Sequence, residues 1–169
     1  MSDWLMNDIR EFTADSIEEN SVMLWILHAD KVPPHVGISI GHAYFSLKVD
    51  GKDVDVNVKN VLSVIRMKSI PTLLANVQDS PIRKETIREI YNQFEYAEAP
   101  LYSCLTPIKQ LFQRPEVTKL ISLLEQLEAD ACIRGYYGLN LPQDYRGIPF
   151  YTEKDIHNHL NQLTRDMVE

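Results

Sequence analysis

Two alternating runs separated by Gly41-His42 constrain this chain more than any other feature. Val36, Ile38 and Ile40 alternate with Gly37 and Ser39, while Phe45, Leu47 and Val49 alternate with Tyr44, Ser46 and Lys48. Successive side chains of a strand point to opposite faces, so each run has one apolar side. A Gly-X pair suits a two-residue hairpin turn. Closing the hairpin there sets Ile40 opposite Ala43, Ile38 opposite Phe45 and Val36 opposite Leu47. The apolar sides coincide, and a one-residue slip would destroy that match. His35, Gly37 and Ser39 then share the other side with Lys48, Ser46 and Tyr44.

The neighbouring segments extend a sheet. Ser21–His28 is a compact apolar run whose length suits a strand buried on both faces, and Pro33-Pro34 breaks the chain after it. Asp50-Gly51 is a second turn signal, and the alternation from Asp53 to Val58 predicts a third antiparallel strand. Val58–Lys68 reads as a short helix, and Ile70–Val77 as a strand that lies at an edge or starts after Pro71. Helical spacing of Trp4, Leu5, Ile9 and Phe12, with Asp3 as cap, predicts an opening helix, and the polar Asp15–Asn20 stretch ends it.

The second half reads as helical. Pro81–Glu95 carries Ile87, Ile90 and Phe94, with Pro81 in its first turn. Thr106–Phe112 is short. Glu116–Arg134 carries an apolar stripe, with Gly135 as terminator. Thr152–Met167 opens on a capping-box-like Thr152-Glu153-Lys154-Asp155. Tyr136–Tyr151 is left as a long aromatic loop, which covers the core or lines a groove. Strands segregated from helices define an α+β fold, an antiparallel sheet of four or five strands from residues 21–78 with helices packed around it. The 169 residues suit a single domain over 1–169, strand-rich across 21–78 and helical across 81–169.

Composition excludes several classes of function. Lys and Arg number 17 against 24 Asp and Glu, a formal charge of −7, the wrong sign for a general binder of nucleic acid or anionic membranes. No apolar run approaches the ~18 residues of a membrane span. The start, MSDWLMND, has neither the basic nor the apolar region of a signal peptide, so a cytoplasmic protein with free thiols is expected. Cys104 and Cys132 form neither a disulfide framework nor a thiolate zinc site. Phosphate-loop motifs are missing. His157 and His159 lie two apart on a helix and point ~200° away from each other, so they cannot share a metal. The His28, His35, His42 ladder lacks a completing ligand. No cofactor is implied.

Thiol chemistry has two candidates. A nucleophilic Cys needs a lowered pKa, from a helix N-terminus, a nearby His or both. Cys104, in Tyr102-Ser103-Cys104-Leu105-Thr106-Pro107, stands at a predicted helix start, where unpaired amides favour a thiolate. His35 opens a strand just after the Pro-Pro turn, where its ring reaches the end of the sheet. Together they would make a Cys–His pair. The plain alternatives are a small packing residue at Cys104, a turn-bonding His35, and a structural Cys132.

The segment Pro34-His35-Val36-Gly37-Ile38-Ser39-Ile40-Gly41 resembles the histidine strand of circularly permuted papain-like thiol hydrolases. That group includes NlpC-type permuted peptidases, lecithin retinol acyltransferase relatives and PPPDE peptidases. Its members place the His strand first and the Cys helix later, after an intervening helix, and this chain has the same order. Tyr151-Thr152-Glu153-Lys154-Asp155-Ile156 is similar to a late segment of some NlpC-type members. The resemblance covers roughly residues 22–160 in layout. It implies a permuted papain-like fold in which Cys104 attacks an amide, isopeptide or ester carbonyl. His35 is the general base and Ser46 its weak orienter, with backbone amides near Cys104 holding the oxyanion. The implied reaction is acyl transfer to water, or a related acyl-transferase reaction, on a peptide or protein.

Two features depart from the family. Pro107 favours the first helical position with Thr106 as cap, which leaves Cys104 two residues outside the helix. The family's polar orienter on the next strand has no clear counterpart: Lys48 lies across from His35 and Ser46 diagonally, and a bulge would bring in His42 or Asp53. The rival reading is a non-catalytic acidic protein-interaction module on the same or a related scaffold. A third is a small immunity or regulatory protein with a basic partner.

Overall fold

The computed structural model describes residues 4–5, 8–77 and 82–168. In chain order, β1 (Trp4–Leu5), β2 (Ile9–Glu11), β3 (Val22–Leu27), β4 (His35–Ile40), β5 (Ala43–Lys48) and β6 (Gly51–Asn57) precede α1 (Val58–Met67). Next come β7 (Thr72–Val77), α2 (Lys84–Tyr91), α3 (Thr106–Leu111), α4 (Leu120–Ala129), β8 (Ile133–Leu139), β9 (Gly147–Ile148) and α5 (Glu153–Val168). The fold is α+β. Its main sheet has seven strands in the order β2-β8-β7-β3-β4-β5-β6, and β1 pairs with β9 separately.

The central hairpin forms in the expected register, Ile40 opposite Ala43 and Ile38 opposite Phe45. Flanked by β4 and β7, β3 has Met23, Leu24, Trp25 and Ile26 fully buried. β7 starts after Pro71 and lies inside the sheet, between β3 and β8. Five strands come from residues 21–78 as expected, but the sheet is larger and mixed, because β2 pairs in parallel with β8. This corrects the purely antiparallel sheet of four or five strands.

Three local expectations are also corrected. The opening helix is replaced by strand pairings: Trp4 and Leu5 pair with Ile148 and Gly147, and Ile9 with Tyr136. Its proposed cap, Asp3, and the Pro81 of the later helix lie outside the described residues. The helix foreseen over 116–134 spans only Leu120–Ala129, and Ala131, at φ 56°, ends it in place of Gly135. The foreseen loop contains most of β8, which pairs with β7 along its length. Gly138 gives close packing there, since a Cβ would come within 2.6 Å of the Leu141 side chain and 3.1 Å of that of Ile9. The capping box of α5 does form, with the Asp155 N–H donating to Thr152 Oγ1 (3.2 Å) and the Thr152 N–H to Asp155 Oδ2 (2.8 Å).

Helices cover both faces of the sheet. On one face α1 packs Val58, Leu62 and Ile65 against Met23, Trp25, Tyr44 and Leu74. On the other, Ile87, Ile108, Leu124 and Leu160 from α2 to α5 pack against Leu24, Ile26, Ile38, Phe45 and Leu73.

A bulge in β6 sorts the residues of Asp53–Val58. Tyr44 pairs with Val56 and Ser46 with Asp53, so two steps along β5 match three along β6. Asp55 takes up the extra residue at φ 56°, a conformation Asp tolerates, and binds Arg88 at 2.6 Å. Unbroken alternation would put Val54 and Val56 on one face. The bulge sends Val54 to the α2–α5 side and Val56 to the α1 side, and sets Asp53 beside Ser46.

Candidate active site

β3 ends, β4 begins and β5 ends at the same end of the sheet, and α5 lies across the gap beyond them. A cavity of about 530 Å3 fills this corner. Both His35 and Cys104 line it, together with His28 at the end of β3 and His159 of α5. The topology therefore brings a thiol from late in the chain to the strand end that carries the early imidazole.

Cys104 is held in a tight turn before α3. The Ser103 N–H donates to Thr106 Oγ1 (2.8 Å), the Leu105 N–H to Ser103 Oγ (3.2 Å) and the Thr106 N–H to the Ser103 carbonyl (3.0 Å). The helix itself starts at Thr106 with Pro107 in its first turn, so Cys104 lies two residues ahead of it. The sulfur faces the main-chain N–H groups of Val36, Cys104 and Leu105. Val36 is the residue after His35, so the sulfur lies near the start of β4. These amides favour the anion, but burial outweighs them and pushes the thiol pKa up. The expected lowering at a helix start is thereby corrected: the sulfur is desolvated more than it is solvated by amides.

His35 is half-buried at the first position of β4, paired with Leu27. Burial lowers its pKa to about 4; Asp53 opposes that shift, while Lys48, His28 and His159 add to it. The ring is thus a neutral base at pH 7. Burial also lowers the pKa values of His28 and His159. By strand register the His35 side chain shares a face with Gly37, Ser39, Tyr44 and Ser46, whereas Cys104 packs with the α2–α5 core. Among the described residues no hydrogen bond joins the sulfur to the ring, and the two groups meet only at the common cavity.

Ser46 is fully buried and donates to Asp53 Oδ2 at 2.7 Å. Its single proton is committed there, so toward an imidazole N–H it offers only an acceptor. Asp53 also pairs with Lys48 at 3.3 Å. The Tyr44 hydroxyl faces Ser46 as well, lying so close over Gly37 that a Cβ there would come within 2.4 Å of it. Behind His35 the sheet therefore carries a connected Tyr44–Ser46–Asp53–Lys48 network.

The remaining candidates separate. His157 lines a small cavity beside Ser103 and Thr106, and His159 lines the large one. Cys132 follows α4 and packs on the core, its thiol 3.5 Å from the Asp130 carbonyl. Among the described residues no three His, Cys, Asp or Glu side chains converge as a metal site. No described helix is long and apolar enough to cross a membrane.

Sequence reasoning passed over His28 and His159 as members of this site. His159 stands three residues after Ile156 and four before Leu163, on the apolar stripe of α5. That position was legible, but the cavity beneath it was not. No protein-family model, curated protein or solved structure matches the chain.

Proposed function

We propose that the chain is a thiol hydrolase or acyl-transferase of the permuted papain-like kind, acting through Cys104 and His35 on an amide, isopeptide or ester bond. The observation that carries this reading is the shared cavity, with the sulfur set against the Val36 amide at the start of the strand that bears His35. The thiol pKa is raised and the imidazole pKa lowered, so both groups rest uncharged. The proton then moves during attack. The neutral ring takes it from the thiol as the S–C bond forms, and the carbonyl becomes an oxyanion near the Cys104 amide. Collapse expels the leaving group, which takes the proton from the imidazolium. Water, deprotonated by the same ring, releases the acid from the thioester and restores the thiol.

In this proposal Ser46 accepts from the ring N–H and Asp53 lies behind it, a positioning relay that passes through a hydroxyl. Lys48 disfavours the imidazolium and keeps the base neutral. A cytoplasmic setting, no cofactor, and a peptide or protein as substrate or partner complete the reading.

The test is hydrolysis of p-nitrophenyl acetate by the wild-type chain, Cys104→Ser and His35→Gln, with intact-mass detection of an acetyl group on Cys104. Turnover lost in both variants, and an adduct confined to Cys104, is the expected result. Equal rates in wild type and Cys104→Ser would overturn the proposal and leave the acidic interaction module standing.

A further inference from the structure

The wall of the cavity speaks to the acyl half of the substrate, an inference that rests on the proposed thiol chemistry. About 530 Å3 is enough to enclose a small organic group. Away from Cys104 the wall runs over Pro33, Pro34, Leu47, Val49, Leu160 and Leu163. Several polar groups along it are engaged. The Tyr151 hydroxyl accepts from the Leu120 N–H at 2.9 Å, Ser103 Oγ accepts from the Leu105 N–H, and the Lys48 ammonium pairs with Asp53.

A peptide drawn into this space would bring one N–H and one C=O per residue. Each would lose water and meet mainly hydrocarbon, at a cost of a hydrogen bond or more. A hydrocarbon chain has no such groups and gains by leaving water. Charge argues the same way. Burial holds the rings of His28 and His159 toward their neutral forms, and the Asp50 and Asp166 carboxylates on the wall oppose an anionic occupant.

We propose that the cavity takes the acyl side of the scissile bond as an uncharged hydrocarbon group running from Cys104 toward α5. Peptide main chain and anionic acyl groups are disfavoured inside it, so a peptide or protein substrate would leave its main chain outside and insert only an apolar group. An alkanoyl chain and an apolar aminoacyl residue share this chemistry, and the test separates them.

The full-length chain is assayed on p-nitrophenyl acetate, butyrate, hexanoate and octanoate, and on the ester of N-acetyl-phenylalanine. Complete burial is worth roughly fourfold per methylene, so kcat/KM is expected to rise at least tenfold from acetate to octanoate. Leu163→Trp, which fills the α5 wall, should cut the octanoate-to-acetate ratio severalfold. A larger gain for octanoate assigns the alkanoyl source, and a larger gain for the phenylalanine ester the aminoacyl one.

A flat series with Cys104-dependent turnover would overturn this inference and leave the thiol chemistry intact. Where no ester turns over, binding to Cys104→Ser decides. Saturable diphenylhexatriene fluorescence, displaced by methyl octanoate, supports the hydrocarbon site; no saturable binding overturns it.

Discussion

On the α1 face, Trp25 meets Phe12 and Tyr44 edge-on, with ring centroids 6.0 and 5.6 Å away, and its indole N–H donates to buried Ser39 at 2.7 Å. Across the same strands, the strand ends, the turn that carries Cys104, Leu120 of α4 and the inner side of α5 line a cavity of about 530 Å3, and the buried Tyr91 hydroxyl has no hydrogen-bond partner among the described residues. One face is filled and its polar groups are matched. The other gives up packing at one corner, where the thiol and three imidazoles gather. Close packing is the ordinary state of a protein interior, and the exception coincides with the place where the proposed chemistry would be located.

The contrast breaks most visibly at Trp25. Trp25→Ala should cost about 4 kcal/mol in urea unfolding, because a large void opens in a filled face and Ser39 loses its partner. Leu163→Ala, at a wall already facing empty space, should cost under about 1 kcal/mol by the same measurement. Equal losses would remove the distinction between the faces.

Acid sharpens the comparison next. The folded pKa of His35 is near 4 and its ordinary value 6.5, so the unfolded chain takes up the proton first as pH falls. The stabilisation from a neutral His35 is complete above about pH 6.5 and is lost as pH drops toward 4. It amounts to about 3 kcal/mol. Unfolding midpoints followed from pH 7 to 4 should fall less steeply in His35→Gln than in wild type. Parallel curves would show that the ring is not buried as described.

Smaller effects probe the polar network and the orphan hydroxyl. Ser46→Ala removes a buried donor from Asp53 and should cost roughly 1–2 kcal/mol in urea unfolding. Tyr91→Phe removes a buried, unmatched hydroxyl and should be neutral or stabilise the chain by up to about 1 kcal/mol. A clear loss of stability in Tyr91→Phe would mean that the hydroxyl is satisfied after all.

The same contrast governs what the residues disclosed in advance. From Val22 to Val77 the pattern was local. Alternation and a turn signal fixed the hairpin register, and the apolar run of β3 declared burial on both faces. β2 and β8 were not legible in this way. Ile9–Glu11 is too short to carry an intrinsic strand signal, and Trp4, Leu5, Ile9 and Phe12 mimic helical spacing. The strand exists because β8, more than 120 residues later, offers it a parallel edge. β8 itself hides behind Gly135 and Gly138, which read as punctuation, although both lie within the strand and Gly138 packs closely on Ile9 and Leu141.

At the candidate site, residue type and position were enough to nominate His35, Cys104 and Ser46. They were not enough to give the partner of Ser46, because the bulge at Asp55 decides which carboxylate it meets. The thiol pKa was likewise beyond reach, since burial and amide contact pull it in opposite directions and only the folded packing sets their balance.

Alkylation of Cys104 by iodoacetamide, mapped by peptide mass spectrometry at pH 7.5 in wild type and His35→Gln, tests the central pairing most directly, with Cys132 as internal control. The account predicts that losing the imidazole slows Cys104 at least tenfold and leaves Cys132 unchanged. Identical Cys104 rates in the two proteins would show that His35 does not act on the thiol.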